Sequence, residues 1–199
     1  NVLEDLKNNN GQNSYKLNEK LALKAFYNTA KYDSIINNKL ANIFDDDEYI
    51  NLNIKKIKKL RYGENPHQKA ALYELPIFEN QIDDYQILNG KELSYNNYLD
   101  MTYALNIASE FYDVHCCTIV KHNIPCGVAL GASSLDAYQK ALDCDPISAF
   151  GGIVAFSKGV DINVAKHLKE LFLEVIVAPN FDDDAVELLQ TKKNLRLIK

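Results

Sequence analysis

Tryptophan is absent from these 199 residues, methionine occurs once, and no apolar run reaches the length of about 18 residues that reads as a membrane span. No membrane partner is therefore expected. The opening NVLEDLKNNNGQN lacks the basic-then-apolar order of a signal peptide. None of the four cysteines forms a C-x-x-C pair. Without such a pair or a secretory pattern, a disulfide framework is not expected; reduced thiols and a cytoplasmic location are. An excess of positive charge is also missing: 22 Lys and Arg against 27 Asp and Glu leave a net −5. That argues against a general nucleic-acid binder, and an anionic substrate would have to be held by locally placed cations. Beyond the Asn-rich start there is no low-complexity stretch, and no internal repeat.

What is present is ordinary for a globular protein, 47% hydrophobic and 25% charged, and long enough for one large domain or a domain with an appendage. From Asn18, a plausible N-cap, apolar residues fall at helical spacing (Leu21 with Ala25; Ala22 with Phe26 and Ala30). A second helical register runs through Tyr32, Ile35, Ile36, Leu40 and Ile43. The acidic run Asp45 to Glu48 reads as a solvated linker, and a boundary is placed there, giving residues 1–48 and 49–199. Strands are expected at Ala70 to Leu75, Tyr85 to Leu88, Cys116 to Val120, Ile153 to Phe156, Val175 to Ala178 and Asn194 to Ile198. Helices are expected at Tyr95 to Tyr112, Leu135 to Leu142 (opened by Ser133 and Asp136), Asn163 to Phe172 and Ala185 to Leu189. Such alternation predicts an α/β sheet with helices on its faces, and strand–helix–strand around Tyr95 to Tyr112 allows a parallel crossover. The last apolar run has no turn or tail after it, which suggests truncation.

The chemistry concentrates in CCTIVKHNIPCG, Cys116 to Gly127. A buried strand ends at Lys121 and His122, and Asn123, Pro125 and Gly127 are expected to turn the backbone into a loop. In open α/β sheets ligands sit beyond the carboxyl ends of strands, so an imidazole and an ammonium stand where a ligand is expected. Upstream, Arg61, Asn65, His67 and Gln68 cluster at the turn of YGENPHQ, a group able to bind anions. Zinc is the competing reading, with His115, Cys116, Cys117 and His122 as N and S ligands. Cys116 and Cys117 are neighbours that a strand points to opposite faces, and the usual ligand spacing is absent, so no metal is expected.

RYGENPHQ (Arg61 to Gln68), IVKHNIPCGVALG (Ile119 to Gly131) and DPISAFGGIVAF (Asp145 to Phe156), in that order and spacing, closely resemble the bifunctional purine-biosynthesis enzymes that are both AICAR formyltransferase and IMP cyclohydrolase. LNEKLALKAFYNTAKYDSII (Leu17 to Ile36) and VIVAPNFDDDAVELL (Val175 to Leu189) also fit. The resemblance implies an internal piece of a longer chain. Residues 1–48 would be the helical end of the cyclohydrolase domain and linker. Residues 49–199 would be the first part of the formyltransferase domain, with a cytidine-deaminase-like three-layer α/β subdomain. It implies transfer of a formyl group from the co-substrate 10-formyltetrahydrofolate to the 5-amino group of AICAR, in a cytoplasmic homodimer whose site is shared between subunits. The pattern H-x-E and P-C-x-x-C of zinc deaminases is absent: Pro125-Cys126 is followed by Gly-Val-Ala. A zinc-dependent deaminase-like hydrolase remains the alternative function.

The amine of AICAR is a poor nucleophile, since its lone pair is delocalised into the ring and carboxamide. A base must take a proton as it attacks, and imidazole, ordinarily titrating near pH 6.5, suits His122 to that role. A cation is needed for the developing oxyanion and the departing nitrogen, which suits Lys121. The resemblance points to the same pair. It also places Arg61, Tyr62, Ser148, Phe150, Gly151 and Glu174 in substrate binding; His67 is read with them, its alternative being to satisfy the Asn65-Pro66 turn. Arg61 is the phosphate fork, Phe150 can flank a flat ring, and Gly151 allows close backbone approach.

Overall fold

The computed structural model describes residues 1–46, 48–74 and 85–199. Two compact units divide them. The first is built on Asn1–Lys56, with Tyr73 and Glu74. Its helices are α1 (Val2–Asn8) and α2 (Tyr15–Phe44). The two expected helical registers are one continuous helix of 30 residues, and it starts earlier than Asn18. Ser14 is the N-cap, its hydroxyl accepting from the Leu17 N–H at 3.2 Å while its own N–H and hydroxyl donate to Asp5. None of the residues of α2 is buried; Leu23, Phe26, Ile35 and Ile43 are exposed. Of the acidic run after it, Asp47 lies outside the described residues. β1 (Lys55–Lys59) and β2 (Ala71–Glu74) form a two-stranded sheet; Leu75, expected in the second strand, lies outside the described residues.

The second unit carries a six-stranded mixed sheet. Its strands are β3 (Ile87–Asn89), β4 (His115–Lys121), β5 (Ile124–Gly131), β6 (Ile153–Phe156), β7 (Val175–Val177) and β8 (Arg196–Ile198), in the order β3-β8-β7-β6-β4-β5. β6, β7 and β8 are parallel; β4 is antiparallel to β5 and β6, and β3 is antiparallel to β8. The helices are α3 (Tyr95–Ser109), α4 (Ser134–Cys144), α5 (Ile162–Glu170) and α6 (Asp183–Gln190). Strands β3 and β4 share a direction, but three strands separate them, so α3 crosses over the sheet instead of joining neighbours.

Strand periodicity sorts the side chains into two cores. Val120, Ile153, Ala155, Val175, Val177 and Ile198 face α3, where Tyr98, Met101, Ala104 and Ala108 cover them. Cys117, Ile119, Val154, Phe156, Ile176 and Leu197 face the other way, onto Ala137 and Tyr138 of α4, Val164 and Leu168 of α5 and Leu189 of α6. Each fully buried Ile, Leu or Val contributes about 1.5–3 kcal/mol. The two faces explain why β6 and β7 read as continuous apolar runs and not as alternating ones. A local box opens α3: Ser94 Oγ accepts from the Asn97 N–H at 3.2 Å and Asn97 Oδ1 from the Ser94 N–H at 3.1 Å. At α4, Ser133 accepts from the Asp136 N–H as expected, but Asp136 reaches back to the Ala132 N–H at 2.9 Å.

Candidate active site

Lys121 and His122 do not open a loop. They end β4 and begin a two-residue turn into β5, so Asn123 is turn and Pro125 and Gly127 are strand. The physical reason is the turn itself. His122 (φ +53°) and Asn123 (φ +65°) are both left-handed, the pair of conformations whose twist matches a hairpin. Pro125 is tolerated because β5 stands at the end of the strand order, and Cys126 is the extra residue of a bulge between the Val120–Pro125 and Ile119–Gly127 pairs. Gly127 is fixed by packing, since a Cβ there would sit 1.9 Å from the Ala141 carbonyl oxygen of α4. Burial pushes the Cys126 thiol up, and its Sγ lies against the Ile119 carbonyl at 3.5 Å.

The turn is held from α3. The two carboxylate oxygens of Asp100 accept one backbone N–H each, from Asn123 at 2.7 Å and from His122 at 3.3 Å. Lys121 turns toward the third motif, its Nζ donating to the Phe150 carbonyl at 2.7 Å. Because β4 runs against β6, the end of β4 shares a sheet edge with the starts of β6 and β7. Phe150, Gly151 and Glu174 stand at that edge. Gly151 is left-handed (φ +77°) and its N–H donates to the Phe172 carbonyl at 2.7 Å; the Phe150 and Phe172 rings are 5.1 Å apart. Phe150 is 56% exposed, available to a flat ligand. Ser148 gives its N–H to Asp145 at 2.9 Å, and its side-chain and backbone hydrogen bonds hold the Asp145 carboxyl below the usual range.

Glu174 accepts from Asn97 Nδ2 at 2.7 Å, with Arg196 Nη1 3.9 Å away. Arg196 Nε is buried without a hydrogen-bond partner among the described residues. The upstream turn is self-bonded: the Gly63 N–H donates to the Gln68 carbonyl, and the Asn65 N–H to Gln68 Oε1. Asn96 Nδ2 of α3 reaches its Glu64 carbonyl at 3.4 Å. Arg61 is exposed, its guanidinium carbon 5.3 Å from the centroid of the half-buried Tyr62 ring, and His67 is exposed. Lys121, His122, Phe150, Gly151 and Glu174 are thus brought to one edge. The Arg61–Gln68 turn is tied to the same helix through Glu64, not through Arg61 or His67.

Sequence reasoning missed the residues of α3 that do the tying. Ser94-x-x-Asn97 carries a capping signal; Asp100 carries none beyond being a charge inside an apolar helical register. Among the described residues no group of His, Cys, Asp and Glu is arranged to hold a metal ion, and no helix is long and apolar enough to cross a membrane. A cavity of about 460 Å³ lies at the opposite edge, lined by Met101, Leu105, Phe156, Val177, Ile198 and Lys199 among others. Its lining is mainly apolar and it includes none of the expected site residues.

The family model described as the AICARFT/IMPCHase bienzyme matches residues 1–199. The chain belongs to this family. Similar relatives include the bifunctional purine biosynthesis protein PurH of Clostridium botulinum (strain Loch Maree / Type A3), 50% identical over all of this chain and 39% of the relative. PurH of Clostridium perfringens (strain SM101 / Type A) is 48% identical over the same shares. The chain therefore spans 39% of the length of these curated relatives. Among solved structures, Acinetobacter baumannii RibD (form 2) overlaps 50% of this chain and 35% of its own, at 17% identity and a TM-score of 0.39, too slight a likeness to carry an argument.

Proposed function

We propose that the whole protein transfers a formyl group from 10-formyltetrahydrofolate to the 5-amino group of AICAR, a step of de novo purine biosynthesis, with ring closure to IMP in a domain that residues 1–48 would end. The reading rests on family membership together with one contact, the 2.7 Å hydrogen bond from Lys121 Nζ to the Phe150 carbonyl. That bond joins the motif bearing the base to the motif bearing the flat-ring platform. In this reading the amine attacks the formyl carbon and a new C–N bond forms as the bond to the folate nitrogen breaks. His122 takes the proton the amine loses. Lys121 stabilises the oxyanion and supplies the proton that the departing nitrogen gains. Arg61 and Tyr62 hold the nucleotide, with His67 beside them. Ser148, Phe150 and Gly151 line the meeting point of nucleotide and folate, and Glu174 lies toward the ribose.

The same reading gives the six-stranded unit the cytidine-deaminase-like architecture of the formyltransferase domain, without its metal chemistry. It also makes the whole protein a cytoplasmic homodimer whose site draws on both subunits. AICAR formylation by the full-length protein tests it. His122→Ala and Lys121→Ala should each lower kcat by about 10²–10⁴-fold, the range for a lost proton-transfer group. Wild-type protein that does not formylate AICAR would overturn the function, and normal rates in both variants would overturn the roles.

A further inference from the structure

The proposed formyl transfer, on which this inference rests, needs the His122 imidazole held in one place. The two residues that carry and follow the imidazole occupy a backbone conformation that ordinary side chains disfavour. His122 and Asn123 both lie at positive φ, +53° and +65°. His and Asn are among the residues that tolerate this region best, but a pair in succession still needs support from its surroundings. Ladder pairing supplies part of it, since Lys121 pairs with Ile124 across the turn. A two-residue turn also leaves its own two N–H groups aimed outward, and here both find the same acceptor.

We infer that Asp100 is a positioning residue for the formyl transfer: its carboxylate clamps the His122–Asn123 turn through both backbone N–H groups and so sets where the imidazole stands. The geometry supports this in three ways. The two bonds, 2.7 Å to Asn123 and 3.3 Å to His122, use separate oxygens of one half-buried carboxylate, so a neutral amide of the same shape can keep only one of them. Asp100 sits on α3, a rigid helix whose neighbours Met101 and Ala104 are fully buried, so the clamp is anchored to the core and not to another loop. The same helix binds two other parts of the site, through Asn96 to the Glu64 carbonyl and through Asn97 to Glu174. Asn96 and Asp100 are about 6 Å apart along the helix axis, four residues at 1.5 Å each. One short stretch of helix thereby sets the imidazole turn relative to the nucleotide turn and the acidic residue. Both carboxylate oxygens of Asp100 are taken by backbone N–H groups, so in this proposal it acts through the backbone of His122.

The test uses full-length protein and reads kcat and KM for AICAR separately, alongside thermal unfolding and amide hydrogen exchange of the turn. Asp100→Ala should lower kcat about ten- to a hundred-fold, leave KM for AICAR within about two-fold, and speed exchange at His122 and Asn123. Asp100→Asn, which keeps one acceptor oxygen for the shorter bond, should recover part of kcat. Asn123→Gly, added to Asp100→Ala, should recover part as well, because glycine accepts the left-handed conformation without help. If Asp100→Ala leaves kcat and turn exchange unchanged while wild type is active, the clamp is overturned. If kcat is lost only in proportion to unfolded protein, and neither Asp100→Asn nor Asn123→Gly restores any once folding is matched, Asp100 is structural and the inference also fails. Wild-type protein inactive on AICAR, with turn exchange still dependent on Asp100, would sink the proposed activity and leave the clamp standing as a backbone device.

Discussion

Single positions decide how the site edge is shaped. Gly151 is the clearest case: its φ of +77° is a conformation that an L side chain rarely adopts, while an added Cβ would find only the Phe172 ring, at 3.6 Å. Space is therefore not the obstacle; the backbone is. Gly151→Ala should destabilise the chain by about 1–2 kcal/mol, the cost of the left-handed region for a residue with a Cβ. Urea unfolding of the isolated chain measures it, and an unchanged midpoint would mean that the segment relaxes to a negative φ. Lys121 and His122 were legible at this scale because they stand where an apolar run stops. Asp100 was not legible. A carboxylate that bonds two amides twenty-odd positions downstream leaves no mark in local spacing, since the contact exists only after α3 has crossed three strands.

Among the elements, α4 joins the hairpin to β6 and carries an aspartate at each end. Lys140, donating a 2.8 Å hydrogen bond, and the Ala132 N–H hold the Asp136 carboxyl below its ordinary value; Ser148 does the same for Asp145. A carboxyl with a lower pKa in the folded chain than in the unfolded one adds stability above the unfolded value. That stability is lost as pH falls through the folded one. Stability should therefore fall as pH drops below about 4, the ordinary aspartate range, and the Asp136→Asn, Asp145→Asn double variant should show a shallower fall. Denaturation midpoints across pH 2–7 check this, and parallel curves for the two proteins would refute it. Most of these elements could be read directly. β6, β7 and β8 announce themselves as short apolar runs, and Ser133 marks the start of α4. The hairpin could not, because Asn123, Pro125 and Gly127 are loop formers by composition. Only the edge position, the bulge at Cys126 and the close approach of α4 make them strand. Nor could the continuity of α2, where two staggered apolar registers do not by themselves show that one helix carries both.

At the scale of the whole molecule, the chain covers 39% of the length of its PurH relatives. On the proposed function, residues from elsewhere in the full-length protein and from a partner subunit complete the site. The isolated 199 residues should then show little or no AICAR formylation under conditions where full-length protein is active, and robust turnover by the isolated chain would contradict a shared site. On the proposed function, the sheet topology also sets how a phosphate would be met there. α4, α5 and α6 each end just before β6, β7 and β8 begin, so three helices turn their carbonyl ends, and the negative end of their dipoles, toward the edge that holds Glu174 and Gly151. Among the described helices of this unit only α3 begins there. In that reading, an incoming phosphate would meet a field set against it by the backbone and would have to be drawn in by side-chain cations. If the full-length protein binds the nucleotide there as proposed, raised ionic strength should weaken its capture more steeply than it would at a phosphate cradle made of helix amides.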